Sequence, residues 1–131
     1  MPVILITLFA FSLFPVVLSG IGHYFRVKQF GRVDNDHPRQ QQARLEGTGA
    51  RVMAAQSNAW ESLAVYTLVI FIAFAMGVDL HTLTTPALVF ISFRLLHALF
   101  YIVNLATLRS LSFAVSLFTC IYIFYVTATV Q

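Results

Sequence analysis

Four long apolar segments, separated by polar stretches of unequal length, dominate the pattern of the chain. A helix needs about 20 mostly apolar residues to cross the core of a bilayer. The segments predict four helices, over residues 2–24, 50–77, 86–106 and 109–130. The last two are separated because one apolar stretch of this combined length is too long for a single span. Short connections favour an up-down arrangement, so the pattern predicts an all-α membrane protein, a four-transmembrane-helix bundle forming a single domain over residues 1–131.

The first apolar segment admits a second interpretation, because a secretory signal peptide also has an apolar run that ends on small residues such as Ser19 and Gly20. A signal peptide carries a basic stretch before an apolar core of about 7–15 residues. This segment has no charged residue, and its apolar stretch is longer. We therefore expect a retained transmembrane helix.

The composition inverts between residues 25 and 51, a stretch that holds six of the eight basic residues. Turn-forming residues at 34–38 should break any helix there. The third loop contains Arg109, whereas the second loop, residues 77–85, has no Lys or Arg. Because Lys and Arg are enriched on cytoplasmic loops, we expect the first and third loops in the cytoplasm. The small size and the lack of a retrieval signal at 129–131 favour the bacterial inner membrane.

The composition agrees with a membrane location, since 59% of the 131 residues are hydrophobic and only 10% are charged. A soluble domain carries about 25% charged residues, so a soluble monomer is excluded and membrane lipid is the expected surrounding. The net charge of +3 is a topology signal here, and no nucleic-acid partner is expected. The single Cys120 excludes an intramolecular disulfide and a Cys-cluster zinc site, and no metal is expected.

Two groups of mostly polar residues stand within the apolar segments at the spacing i, i+3, i+7, i+10, which places each group on one helix face. They are Arg51, Ala54, Asn58 and Glu61, and then Arg94, His97, Tyr101 and Asn104. Ionisable groups at bilayer depth are costly and usually face a cavity or a partner. The sequence leaves open whether Glu61 lies near the interface, solvated or paired with Arg51 or Arg109, or compensates Arg94 through His97 or water. It also leaves open whether His97 is only structural.

Arg109 and Ser110 lie at the predicted turn between the last two helices. An arginine there is ordinary for a cytoplasmic loop, but the free N–H groups and partial positive charge of a helix start also favour binding of a thiolate or carboxylate. Arg26 and Arg51, near the same membrane face, can bind carboxylates, while Glu61 can take an ammonium group. The set fits a small zwitterion with more than one carboxylate, and a lipophilic second substrate that arrives from the membrane.

Taken together, these motifs resemble the MAPEG family, the membrane-associated proteins in eicosanoid and glutathione metabolism. The resemblance covers most of the chain. Asp36-His37-Pro38-Arg39 is similar to an Asn-Pro-Arg motif of the family, and Arg51, Asn58 and Glu61 match its second-helix pattern. The third helix and the turn after it match at Arg94, His97, Tyr101, Arg109 and Ser110.

The resemblance implies a homotrimer of four-helix bundles that binds glutathione between neighbouring subunits at the cytoplasmic side. The implied glutathione-binding residues are Arg26, Arg51, Asn58, Glu61, Arg94, His97 and Tyr101. Arg109 is implied to stabilise the thiolate, with Ser110 contributing beside it. The leading hypothesis is an integral membrane transferase or peroxidase, similar to microsomal glutathione transferases, that acts on a lipophilic electrophile.

Two other functions are compatible with the sequence. The best-known eicosanoid enzymes of the family have further arginines where this chain has Ala54 and Ser57, and several have a fourth-helix tyrosine where it has Phe113. These differences favour a non-catalytic lipid-binding or scaffold protein. A small transporter or channel subunit is the other alternative, with Arg94 and His97 as a conduction path. The sequence shows no inverted repeats of the kind common in transporters.

Overall fold

The computed structural model describes residues 1–129 as a bundle of long helices. The helices are α1 (Val3–Phe30), α2 (Pro38–Ala43), α3 (Gly47–Ala75), α4 (Thr84–Ile102) and α5 (Ala106–Thr129), with a 3₁₀ turn over Leu80–Leu83. The described residues contain no strand, and four helical segments are long and apolar enough to cross a membrane. The predicted all-α membrane bundle is confirmed, and the protein is an integral multi-pass membrane protein. The last predicted span ends at residue 130, which lies outside the described residues.

The first helix continues six residues beyond its predicted end at residue 24, so that Arg26 and Lys28 are helical. It stops at Gly31, which has a φ of 77° and donates its N–H to the Val27 carbonyl oxygen at 2.8 Å. Glycine adopts this left-handed conformation without a Cβ clash, and the hydrogen bond satisfies a carbonyl group at the helix end. The end of α1 follows from this backbone motif and not from the last apolar residue.

A three-residue turn, 103–105, joins α4 to α5. Asn104 has a φ of 62° and donates its N–H to the Tyr101 carbonyl oxygen at 3.2 Å, while the Leu105 N–H bonds to the Phe100 carbonyl oxygen at 2.8 Å. This pair of bonds is a Schellman motif, and Asn is one of the few residues besides glycine that tolerate its left-handed position. Consequently α4 ends four residues before its predicted end and α5 begins three residues before its predicted start. Asn104 therefore lies outside the helical stripe that its spacing predicted.

The polar segment between α1 and α3 is closed by Gln41, a buried residue of α2. Its Nε2 donates to the Arg32 carbonyl oxygen at 2.8 Å, and its Oε1 accepts from the Asp34 N–H at 3.0 Å. One carboxamide can close the turn because it offers both donors and an acceptor. The predicted helix break is present, and α2 begins at Pro38, whose fixed φ suits the first position of a helix.

Helices α1, α3 and α4 meet in an aromatic core. The Tyr66 ring stacks on Phe90 with centroids 3.8 Å apart, and Phe11 meets Phe90 edge-on at 5.3 Å. The Tyr66 hydroxyl lies 2.9 Å from Thr7 Oγ1, which itself donates to the Ile4 carbonyl oxygen, so the Tyr66 O–H is the donor of the pair. These contacts fix α1 against α3 and α4 in the half of the bundle remote from the charged loop.

The charged segments gather at one end of the bundle. Arg51 Nε donates to the Ile102 carbonyl oxygen at 2.9 Å, which places the start of α3 beside the end of α4. Every Lys and Arg except Arg94 lies in or next to the connecting segments 31–46 and 103–105. This end is named the basic end. The most extensive helix contact is that between α4 and α5.

Candidate functional site

Arg94, the one basic residue away from the basic end, joins three helices. Its side chain is 2% exposed. Nη2 donates to the Asn58 backbone oxygen at 3.2 Å and to Asn58 Oδ1, and Nη1 donates to Ser116 Oγ at 3.4 Å. An arginine inside a membrane span needs such partners because its guanidinium does not lose its charge. One side chain of α4 is therefore hydrogen-bonded to both α3 and α5.

Glu61 is not the hydrogen-bonding partner of Arg94. Within residues 1–129 the only acid–base side-chain contact within 4 Å joins His37 and Asp34, at 3.9 Å, and it is an ion pair only when His37 is protonated. Glu61 lies almost one turn beyond Asn58 on α3 and has an exposed side chain. Of the two polar residues on this face of α3, Asn58, with its neutral carboxamide, contacts Arg94. The spacing along a single helix does not reveal which of the two meets Arg94. Glu61 therefore forms no ion pair with Arg94, and the compensation through His97 or water that the sequence left open stays a prediction.

A cavity of about 220 Å³ lies between α3, α4 and α5, next to Arg94. Its polar lining comes from Asn58, Glu61, Ser62, Arg94 and Ser116, and the aromatic rings of Phe90 and Phe113 lie on its apolar walls. A few polar groups within a mostly apolar lining are typical of sites for small molecules. The cavity brings together three of the residues that the sequence predicted for binding.

A second group of predicted residues meets at the start of α5. Arg109 is half-buried, and its Cζ lies 4.5 Å from the centroid of the Tyr101 ring, within the range of a cation–π contact. Tyr101 meets the buried His97 edge-on with centroids 5.6 Å apart, and the His97 ring lies 6.2 Å from Phe113. Ser110 follows with an exposed side chain. The rings of His97 and Tyr101 thus connect the cavity wall at Phe113 to Arg109 at the basic end.

Two further arginines at the basic end differ in their hydrogen bonding. Arg51 donates from Nε to Ile102 and from Nη2 to Thr48 Oγ1 at 2.9 Å. Arg26 has a buried Nε without a hydrogen-bond partner among the described residues. In that part of the chain no carboxylate forms an ion pair with either arginine or with Arg109. Arg26, Arg51 and Arg109 at the basic end therefore form no salt bridge with an acidic side chain of the described residues.

Ser116 holds Arg94 in place and was not among the predicted site residues. The sequence does contain a signal for it, because buried small polar residues recur along one face of α5, at Ser112, Ser116, Thr119 and Thr127. This spacing marks a helix face packed against a neighbour. Among residues 1–129, no group of His, Cys, Asp and Glu side chains is arranged to hold a metal ion.

The fold and site define a class of protein: a four-span helical membrane protein with a mostly apolar cavity that holds a few polar groups, and with arginines at one end that form no salt bridge within the described residues. A model of the MAPEG family matches residues 3–129. The match covers nearly the whole chain, and the protein belongs to the MAPEG family, as the motifs of the sequence predicted. A search of curated proteins and a search of solved structures gave no significant match.

Proposed function

We propose that this protein is a glutathione-dependent transferase or peroxidase that acts on a lipophilic electrophile. The observation that carries the proposal is the position of Arg109, close to the start of α5, against the Tyr101 ring and without an ion-pair partner among the described residues. A fixed positive charge beside the free N–H groups of a helix start favours the thiolate form of a bound thiol. Membership of the MAPEG family supports glutathione as that thiol.

The other polar groups supply contacts that a charged tripeptide needs. Arg26 and Arg51 fit its carboxylates, because a guanidinium can hold a carboxylate through two parallel hydrogen bonds. Glu61 fits its ammonium group. The proposed binding set is Arg26, Arg51, Asn58, Glu61, His97 and Tyr101. The sequence prediction also includes Arg94, whose Nη atoms here are hydrogen-bonded to Asn58 and Ser116.

The exposure of Glu61 supports a site shared between copies of the chain in a homotrimer. Glu61 follows the first residue of α3, Gly47, by 14 positions, which corresponds to about 21 Å of helix at 1.5 Å per residue. A carboxylate at such depth is rarely left facing lipid. A neighbouring subunit would cover Glu61 and bring its own basic end to the same ligand.

Bound glutathione would supply the nucleophilic thiolate for attack on the electrophile. Arg109 stabilises the negative charge on sulfur, and Ser110 beside it can donate a hydrogen bond to the same atom. The thiol proton leaves to water at the basic end. Cys120 lines the cavity from α5, away from the basic end, and the proposed chemistry requires no thiol of the protein.

Ultraviolet absorbance of the thiolate tests the proposal. The purified full chain is expected to develop a thiolate band when titrated with glutathione. Arg109→Ala should lose most of this band, because the loss of one charge-assisted hydrogen bond costs about 1.5–3 kcal/mol, roughly tenfold or more in thiolate population. Arg32→Ala, which removes an exposed arginine of the loop, is the matched control and should retain the band. A wild-type protein without a band at saturating glutathione would overturn the proposal.

A non-catalytic lipid-binding or scaffold function is the second candidate. It is favoured by Phe113, whose ring lines the cavity without offering a hydroxyl group, and by the neutral Ala54 and Ser57 on α3. This function predicts that a fluorescent fatty acid binds equally well with and without glutathione, and that no thiolate band forms. Binding that depends on glutathione would contradict it.

The distribution of basic residues supports a basic end that faces the cytoplasm. Single cysteines at the two ends test this orientation, in a Cys120→Ser background. Thr82→Cys, in the 3₁₀ turn, should react with a membrane-impermeant maleimide on intact cells, whereas Asn35→Cys should react only after lysis. The reverse pattern would overturn the orientation.

A further inference from the structure

The contact with Arg94 fixes the orientation of the Asn58 carboxamide at the cavity wall. A guanidinium has donors only, so the Asn58 atom that accepts from Arg94 Nη2 is the oxygen Oδ1. The Asn58 backbone oxygen accepts from the same Nη2 at 3.2 Å. A rotation of the carboxamide by 180° would bring two donors together and lose the hydrogen bond. The orientation is therefore determined, and Nδ2 is the side-chain donor that Asn58 has left.

Ser116 holds Arg94 from the opposite side. Its Oγ donates to the Phe113 carbonyl oxygen at 2.9 Å and accepts from Arg94 Nη1 at 3.4 Å. The hydroxyl proton is thus committed to the backbone of α5, and a lone pair of the oxygen faces the guanidinium. Ser116 is only 1% exposed, so its hydroxyl meets Arg94 within the packed helices.

Arg94, Asn58 and Ser116 all line the same cavity, but they have different donors and acceptors left for a ligand. Arg94 commits both N–H groups of Nη2 and one N–H of Nη1 within the protein, and its Nε is sealed from solvent. The Ser116 hydroxyl proton is committed to the Phe113 carbonyl oxygen, so Ser116 has no donor left. Asn58 Nδ2 makes no hydrogen bond with the described residues, so it is a neutral donor that Asn58 offers to a ligand.

We propose that Arg94 is a positioning residue which, held by Ser116, presents Asn58 Nδ2 to the cavity, so that the ligand places a hydrogen-bond acceptor, a carboxylate or carbonyl oxygen, against Asn58. Arg94 acts through Asn58 and does not itself touch the ligand. The inference rests on the proposed function, since it identifies the kind of atom through which glutathione meets α3.

Glutathione affinity separates this positioning role from a merely structural one. Ser116→Ala should raise the dissociation constant, measured by calorimetry on the full chain, by about tenfold, the equivalent of one lost hydrogen bond to a charged group. Ser116→Thr, which retains the hydroxyl, should restore most of the affinity. Ser112→Ala removes another buried serine of the same helix that has no hydrogen bond to Arg94, and should bind as the wild type does. Equal effects of Ser112→Ala and Ser116→Ala would overturn the positioning role.

Asn58→Asp tests the requirement for a donor. A carboxylate retains the acceptor for Arg94, so the three-helix junction is preserved, but it offers the ligand an acceptor in place of Nδ2. We expect affinity for glutathione to fall by about 100-fold, with unchanged thermal unfolding, because two acceptors then face each other. Wild-type affinity in this variant would show that the ligand contact at residue 58 is not an acceptor.

A measurement without ligand distinguishes failure of this inference from failure of the proposed function. Ser116 and Asn58 share no hydrogen bond, so coupling between Ser116→Ala and Asn58→Ala in thermal unfolding must pass through Arg94. The double variant is expected to lose less in Tm than the sum of the two single losses. Additive losses would overturn the positioning role whatever the protein binds. Coupled losses in a protein that binds no glutathione would support the positioning role and overturn the proposed function.

Discussion

The guanidinium of Arg109 lies over the ring of Tyr101, with Cζ 4.5 Å from the ring centroid. The two residues belong to α5 and α4, on either side of the turn at 103–105. An aromatic ring attracts a cation through its quadrupole and leaves its net charge in place, whereas an ion pair with a carboxylate would neutralise that charge. Tyr101 therefore positions Arg109 and leaves its charge available to an anion.

Removal of the Tyr101 ring should weaken thiolate formation even though Arg109 is still present. A cation–π contact contributes about 0.5–2 kcal/mol, so Tyr101→Leu should reduce the thiolate band at saturating glutathione several-fold. Tyr101→Phe retains the ring and is expected to retain the band. An equal loss in both variants would show that the hydroxyl, and not the ring, is the important group.

Asn104 should respond differently to glycine and to alanine. A left-handed conformation costs a residue with a Cβ about 1–2 kcal/mol, and Asn offsets part of this through its short polar side chain. Asn104→Ala is therefore expected to lower the free energy of unfolding by about 1 kcal/mol, while Asn104→Gly preserves it. Thermal unfolding in detergent measures both, and an alanine variant as stable as the glycine variant would contradict the assignment of the turn.

Loss of the acceptor and loss of the donor in the hydrogen bond between Thr7 and Tyr66 should lower the free energy of unfolding by different amounts. Thr7→Val leaves the buried Tyr66 O–H without its acceptor, which costs about 1–3 kcal/mol. Tyr66→Phe removes the donor while Thr7 retains its bond to Ile4, so the loss should be nearer 1 kcal/mol. The double variant is expected to lose less stability than the two single variants combined. Chemical unfolding measures the three changes, and a larger loss for Tyr66→Phe than for Thr7→Val would reverse the assigned donor.

The turn before α2 should weaken at low pH through Asp34. Its Oδ1 accepts from the backbone N–H of His37 at 2.9 Å and of Asp36 at 3.0 Å. These bonds, that of His37 above all, lower the pKa of the Asp34 carboxyl below its ordinary value of 3.8. Because the folded pKa lies below the unfolded one, the stabilisation is fully present above the ordinary value and is lost as pH falls through the lowered value.

Amide resonances report this titration directly. The N–H signals of Asp36 and His37 are expected to shift with a common midpoint below pH 3.8. Asp34→Asn retains the acceptor oxygen without an ionisable group and should abolish the shift. A midpoint at or above the ordinary value would contradict the lowered pKa.

Hydropathy was sufficient to predict the four spans, because each helix must present an apolar surface to lipid over its whole length. It also placed Asn58 and Glu61 on a common helix face, since that relation depends on the geometry of one helix only. The ends of α1 and α4 were harder to predict, because they depend on left-handed backbone conformations at Gly31 and Asn104. One of these residues is not glycine and carries no distinctive pattern.

Contacts between helices were the least predictable part of the site. Arg94 required a partner inside the membrane, and Glu61 is the only acidic residue within a predicted span. The observed partners, Asn58 and Ser116, are neutral groups on two different helices. Their proximity to Arg94 depends on how α3 and α5 pack around α4. The spacing of residues along one helix gives no information on that packing.

Two contacts that organise the site, Arg109 on Tyr101 and Ser116 on Arg94, join the same pair of helices. An insertion of one residue within 103–105 would rotate α5 by about 100° relative to α4 and break both contacts together. The turn at 103–105 thus sets the rotation of α5 relative to α4, and with it both contacts of the site. Substitutions on the lipid-facing surface of α1 leave the register set by this turn unchanged.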